Sequence, residues 1–202
     1  MENVVLSALL IAATALGIAM VVPQIVHIHR TRSTDGVSIM WIGVGVALNS
    51  WWTVYAIGAG VWGLTPVSVS GMALYVTMLV QFSQLHGLRS LGGFLGGAIT
   101  FALLPLPALL LGGIEAAGIV VGLCYAVQFL PAVIESLRAE TLHGLSLSTW
   151  AMALGEALIW AIYGASVADN ALIIGGTGAS VASLMIVGQI CRVRKPRIVF
   201  AA

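Results

Sequence analysis

One carboxylate stands apart in this sequence. Glu156 lies midway along the apolar run "LSLSTWAMALGEALIWAIYG", one helical turn before Trp160 and on the same helical face. An isolated charge there costs several kcal/mol unless it is neutralised or hydrated, so the residue is expected to line a cavity, to take up and release a proton, or to pair with a neighbouring Tyr, Ser or Gln. Two Trp-x-x-Tyr pairs accompany it, Trp52 with Tyr55 and Trp160 with Tyr163. Residues i and i+3 share a helix face, so each pair presents an indole-phenol platform toward one side. Such platforms suit apolar C–H contact with a sugar ring or another flat-faced solute, and they equally suit anchoring at a membrane interface. Asn49, Ser50, Tyr75, Gln81 and Gln128 are the remaining polar candidates to line a pathway. The sequence has no clustered Asp/His metal set, no nucleophile-base arrangement and no phosphate-cradling loop beside a strand. Binding and transfer of a solute are expected, with no enzyme chemistry, no metal and no cofactor.

The composition says what must hold these residues. Only 7% of the 202 residues are charged, 60% are hydrophobic and the mean hydropathy is +1.08. A globular surface carries about a quarter charged residues, so a soluble fold of this length could not be covered. Seven apolar stretches, at about 5–28, 37–58, 65–85, 91–111, 114–136, 145–165 and 171–191, each have roughly the length that spans a bilayer. The expected fold is all-α, integral to the membrane, with short loops that make successive helices antiparallel. "MENVV" lacks the basic region of a signal peptide, and none is expected. Cys124 and Cys191 fall in apolar segments and are read as small hydrophobes.

Charge sets the orientation. All eight basic residues follow odd-numbered spans: Arg30 and Arg32, Arg89, Arg138, then Arg192, Arg194, Lys195 and Arg197. The opposite loops, near 59–64, 112–113 and 166–170, have none. The positive-inside rule then puts the N-terminus outside and the C-terminus in the cytoplasm, in a multi-pass protein of the cytoplasmic (inner) membrane. Topology accounts for the basic tail, and no nucleic-acid partner is implied. The lipid bilayer and a small-molecule substrate are the expected partners; Gly-rich "GGFLGG" at 92–97 leaves a homo-oligomer open.

The chain also repeats itself. A shift of 108 carries Pro23 onto Pro131, Arg30 onto Arg138, Gly36 onto Gly144, Ser38 onto Ser146, Trp52 onto Trp160 and Tyr55 onto Tyr163. Three helices, one linking helix and three more helices follow, with units at 1–88, 89–112 and 113–202. The odd linker lets the second triplet start from the same side as the first, which predicts parallel repeats about an axis along the membrane normal and a central cavity between them. Proline weakens a helix by removing an N–H and crowding the preceding turn. Pro23 and Pro131 therefore predict paired pliable segments near the basic end, with Gln24 offering its amide to the freed backbone. Asp35 and His143, at the same repeat position, would face each other across the axis as an inner gate or stand separately solvated in their loops. Tyr55 and Tyr163, near the opposite boundary, complete the gating candidates.

Residues 23–38, "PQIVHIHRTRSTDGVS", resemble the PQ-loop signature, and "PAVIESLRAETLHGLS" at 131–146 is a degenerate second copy with Ala132 in place of Gln. With its layout of three, one and three helices, the whole chain is similar to the PQ-loop/MtN3 transporters, and among them to the SWEET sugar facilitators. The resemblance implies alternating-access transport of a small polar solute, a sugar first, or proton-coupled transport of an amino acid or other charged metabolite as in the cystinosin branch. Where SWEET proteins place a central asparagine in the third and seventh helices, this chain has Ser70 and the Gly175-Gly176 pair.

Overall fold

In a computed structural model the chain is described over residues 2–34, 37–87, 91–138 and 146–193. The described residues form an all-α bundle. Its helices are α1 (Glu2–Thr31), α2 (Ile39–Gly58), α3 (Thr65–His86), α4 (Leu91–Leu103), α5 (Leu106–Val127), α6 (Leu130–Arg138), α7 (Leu147–Ser166) and α8 (Asn170–Val193), with a 3-10 turn at Trp62–Leu64 before α3. These eight segments make seven rods. Gly113, at φ 73° and ψ −164°, breaks α5 internally, so its first turns continue α4 and the remainder runs on into α6. The break falls between the expected fourth and fifth spans.

Among the described residues four stretches are long and apolar enough to cross a bilayer: Val4–Thr31, Trp62–His86, Leu106–Arg138 and Asn170–Arg192. At about 1.5 Å per residue, even the 20 residues of α2 and of α7 reach about 30 Å, the thickness of the hydrocarbon layer. Outward faces are apolar, as lipid requires: Ile11, Val54, Leu95, Leu110 and Leu184 are each at least half exposed.

The 108-residue repeat extends to local detail. Ser38 and Ser146 cap α2 and α7 with nearly the same backbone angles, and each hydroxyl accepts from an N–H three residues on, Trp41 and Thr149, at 3.3 Å. Each cap satisfies an N–H that the helix itself leaves unpaired. At the far ends of the same helices Gly60 (φ 73°) and Ala168 (φ 55°) both turn left-handed. The turn after α7 closes with Asp169 N–H to Gly164 C=O at 2.8 Å and Ala168 N–H to Ala165 C=O at 3.4 Å, a Schellman pattern.

The third helix of each set packs between the other two. α3 touches α1 and α2; α8 touches α7 and both α5 and α6. The sets meet through α1 against α7 and through α2 against α5, which are repeat-related contacts. α4 packs on α2.

The two prolines differ in setting. α1 runs unbroken past Pro23, whereas the second copy is interrupted at Gln128 and Phe129 and Pro131 stands in the first turn of α6. A missing N–H is harmless in a first turn, so the break before Pro131 relieves what Pro23 leaves inside its helix. Asp35 and His143 lie outside the described residues.

An odd number of rods has a direct check. In a Cys191→Ser background, Val167→Cys and Gln84→Cys, both at exposed positions, should react with an impermeant maleimide from opposite sides of the membrane. Labelling of both from one side would break the alternation of rods.

Candidate functional site

A cavity of about 60 Å³ lies where the two sets of helices face each other. It has room for a few waters or a solute of a few heavy atoms, against roughly 300–1,000 Å³ for sites that take drug-sized ligands. Its walls come from repeat-related positions. Trp52 and Trp160 line it, as do Leu64 and Leu172, and Ser68 and Gly176, each pair separated by 108. Asn49, Val67, Tyr125 and Glu156 complete the lining, and here the symmetry fails. The repeat mate of Glu156 is Leu48, that of Asn49 is Ala157, and that of Tyr125 is Gly17.

Glu156 is 6% exposed. Trp160 Nε1 donates to its Oε1 at 3.4 Å, a long bond within α7. Gly17 of α1 faces the carboxylate: a Cβ there would stand 3.1 Å from Glu156 Oε1 and 3.2 Å from Val67. The absence of that side chain leaves the carboxylate its place. Asn49 Nδ2 donates to Gly45 C=O at 2.8 Å, and Thr53 donates to Ser68 Oγ at 3.0 Å. The aromatic walls interlock edge to face: Trp52 with Tyr55 at 5.9 Å, Trp52 with Tyr125 at 6.3 Å and Trp160 with Tyr163 at 6.0 Å between ring centroids. Such geometry sets the positive ring edge against a negative face and holds the indoles in place.

Beyond the cavity, away from the basic end, Tyr55 Oη donates to Asp169 Oδ2 at 2.7 Å. The bond is buried and joins the first set of helices to the second. The other oxygen of Asp169 accepts from Leu172 N–H at 3.0 Å, capping α8, so the carboxylate is fixed from both sides. Tyr55 lies against Gly118 of α5, where any Cβ would enter its ring. Tyr163, the mate of Tyr55, has no such acid, because Val61 occupies the position equivalent to Asp169; its hydroxyl lies beside Gly63.

The apolar packing is divided in the same way. Around Trp52, Tyr55, Val121, Trp160, Tyr163 and Leu172 a single core joins both sets. Toward the basic end each set has its own, Ile28, Ile42, Met78 and Phe82 in one and Val133, Ala182, Ile186 and Ile190 in the other. Among the described residues the sets are sealed together at one end and separately packed at the other.

Of the residues singled out in the sequence, Trp52, Trp160, Glu156 and Asn49 meet in the cavity, and Tyr55 and Tyr163 lie in the core that closes it. Ser50 does not line the cavity; it bonds Val46 C=O at 2.8 Å and Met72 Sδ at 3.4 Å. Tyr75 packs on Trp41 at 5.0 Å and against Gly45. Gln128 stands in the break before α6, and Pro23, Gln24 and Pro131 lie toward the basic end, away from the cavity. Gln81 Nε2 donates to Ile25 C=O at 3.3 Å, tying α3 to α1 just beyond Pro23. Sequence reasoning missed Ser68, Tyr125 and Asp169. Extending the 108-residue shift past Tyr55 and Tyr163 finds Ser68 through Gly176, and Asp169 is an acid in a loop that topology leaves without a base.

The Asp169 arrangement predicts a measurable coupling. Asp169→Ala should destabilise the detergent-solubilised protein by about 2–4 kcal/mol, the sum of a lost cap and an orphaned buried hydroxyl, and Tyr55→Phe by about 1–3 kcal/mol. The double variant should fall short of the sum, and additivity would show that the bond across the two sets is not formed.

Among the described residues no group of three or more His, Cys, Asp or Glu could hold a metal ion. No curated protein matches the chain. The family model described as PQ loop repeat matches residues 5–63, which cover most of α1, all of α2 and the turn that follows. A multi-pass helical membrane protein with such a repeat is consistent with a transporter fold family. Over those residues, under a third of the chain, the protein is similar to the PQ-loop repeat family.

Proposed function

We propose that the protein is a transporter that carries a small polar solute by alternating access through the cavity between two parallel three-helix repeats, 1–88 and 113–202, joined by the linker 89–112. One observation carries the reading. A cavity lined by repeat-related residues of both sets is closed by Tyr55 and Asp169 on one side, and the sets have separate cores on the other. With the N-terminus outside and the basic end in the cytoplasm, this is the conformation closed to the outside. Opening it requires that the Tyr55–Asp169 bond break and that the sets come together at the basic end. The continuous α1 with Pro23 inside it, and the break before Pro131, are the segments that bend to allow this.

The indoles of Trp52 and Trp160 support a sugar as the solute, with Asn49, Ser68 and Glu156 as partners for its hydroxyls. Glu156 supports the second reading, proton-coupled transport of an amino acid or other charged metabolite, because a carboxyl in this position is relieved by taking up a proton. A cytoplasmic-membrane location goes with either reading.

In liposomes, sugar passage should follow the substrate gradient alone, and Glu156→Gln should chiefly weaken affinity. Coupled transport should accelerate under an imposed proton gradient, and the same substitution should abolish that acceleration while exchange continues. Tyr55→Phe tests the gate in either case. Losing one bond to a carboxylate, about 1.5–3 kcal/mol, should shift the closed-to-open ratio about 10- to 150-fold, read as faster labelling of Asn49→Cys from outside. Unchanged labelling would remove Tyr55 from the gate. Pro23→Ala should slow flux more than it weakens binding; normal flux would leave the proline without a gating role.

A further inference from the structure

Glu156 brings to the cavity a carboxyl group that no basic wall residue answers. Its neighbours there are the indoles of Trp52 and Trp160, the phenol of Tyr125, and the neutral polar groups of Asn49 and Ser68; among the described residues no Lys, Arg or His lines the cavity. The nearest donor is Trp160 Nε1, and at 3.4 Å it leaves most of the carboxylate's hydrogen-bonding capacity unused. Among the described residues the acids Glu115 and Asp169 stand toward the closed end, whereas Arg30, Arg138 and Arg192 stand in the last turns of α1, α6 and α8 at the other end.

We infer that the transported solute is a small organic cation, an ammonium compound whose charged nitrogen sits against Glu156 among the faces of Trp52, Trp160 and Tyr125. The inference rests on the carrier reading above and names the solute class for its site. Aromatic faces attract a cation through the ring quadrupole, and the attraction grows when water is excluded; walls of this type recognise quaternary ammonium groups. A buried carboxylate without a counterion is the complementary half of such a site. The same lining argues against a zwitterionic amino acid, since its carboxylate would be stripped of water with only Asn49 and Ser68 to receive it. A neutral sugar would leave the charge unanswered. The duplicated scaffold makes the point sharper: the carboxyl of Glu156 and the ring of Tyr125 have no counterpart at their mates, Leu48 and Gly17. The second set supplies a carboxyl and a ring that the first does not.

The test uses purified protein in liposomes with labelled choline, labelled ethanolamine and labelled glucose. Saturable uptake of choline or ethanolamine is expected. 3,3-Dimethylbutan-1-ol, the uncharged isostere of choline, and alanine should compete at least about tenfold more weakly than the cation. Glu156→Gln should weaken the apparent affinity for the cation roughly 30-fold or more at an unchanged melting temperature. Trp160→Phe, which keeps a ring but deletes the N–H to Glu156, should weaken it less. Glucose uptake without cation uptake would overturn the inference and leave the carrier reading standing. Cation uptake that is indifferent to Glu156→Gln, or equal competition by the isostere, would overturn it as well. No uptake of any of the three solutes by folded protein, together with no exchange of any of them, would count against the carrier reading itself and the inference with it.

Discussion

Close approach of helix backbones is the constraint on which this structure depends. In lipid there is no hydrophobic reward for bringing two apolar helices together, so association rests on van der Waals fit, and that fit is best where side chains are absent. Gly43 and Gly97 let α2 and α4 touch so nearly that a Cβ on either would strike backbone of the other helix. Gly122 does the same for α5 against α8, and Gly176 for α8 against α7. Without these contacts the walls of the cavity would not be held at a fixed separation, and Trp52, Trp160 and Glu156 would not share one space.

Duplication supplies the scaffold twice and the chemistry once. The caps of α2 and α7, their lengths and the left-handed turns after them recur, so these two helices start and end alike. The residues with charge or ring at decisive places do not recur: Glu156 faces the cavity where Leu48 is its mate, Tyr125 where Gly17 is, and Asp169 closes the end where Val61 is. On the carrier reading, a symmetric frame with an asymmetric lining would present a single preferred orientation to the solute. The tyrosines show the same division. Tyr55 and Tyr163 occupy equivalent positions, yet only Tyr55 meets an acid across the interface.

Most of the frame was legible in the sequence because its signals are local or repeated. Apolar run length marked the seven rods, and the 108-residue shift paired Ser38 with Ser146, which the structure shows capping α2 and α7. The Trp-x-x-Tyr spacing predicted ring pairs that form in both sets. Facing was harder, because in a bilayer every side of a helix is apolar and hydrophobic periodicity no longer separates inside from outside. Tyr75 and Ser50 looked as eligible as Asn49, and only packing shows Tyr75 committed to Trp41 and Ser50 to Met72. Tyr125 had no motif to announce it. The unequal settings of Pro23 and Pro131 were hidden for another reason: the same residue, at the same repeat position, falls inside a helix in one set and after a break in the other.

The joint at Gly113 has a mechanical consequence. α4 leans on α2, so the linker rod travels with the first set, and the chain passes to the second set through one left-handed residue at the end where the two sets share a core. There is no slack in such a tether. On the carrier reading, the two bodies would swivel about that joint, four rods against three, and the arc would be longest at the distant rim. A small rotation at Gly113 would then be levered into a wide gap at the basic end.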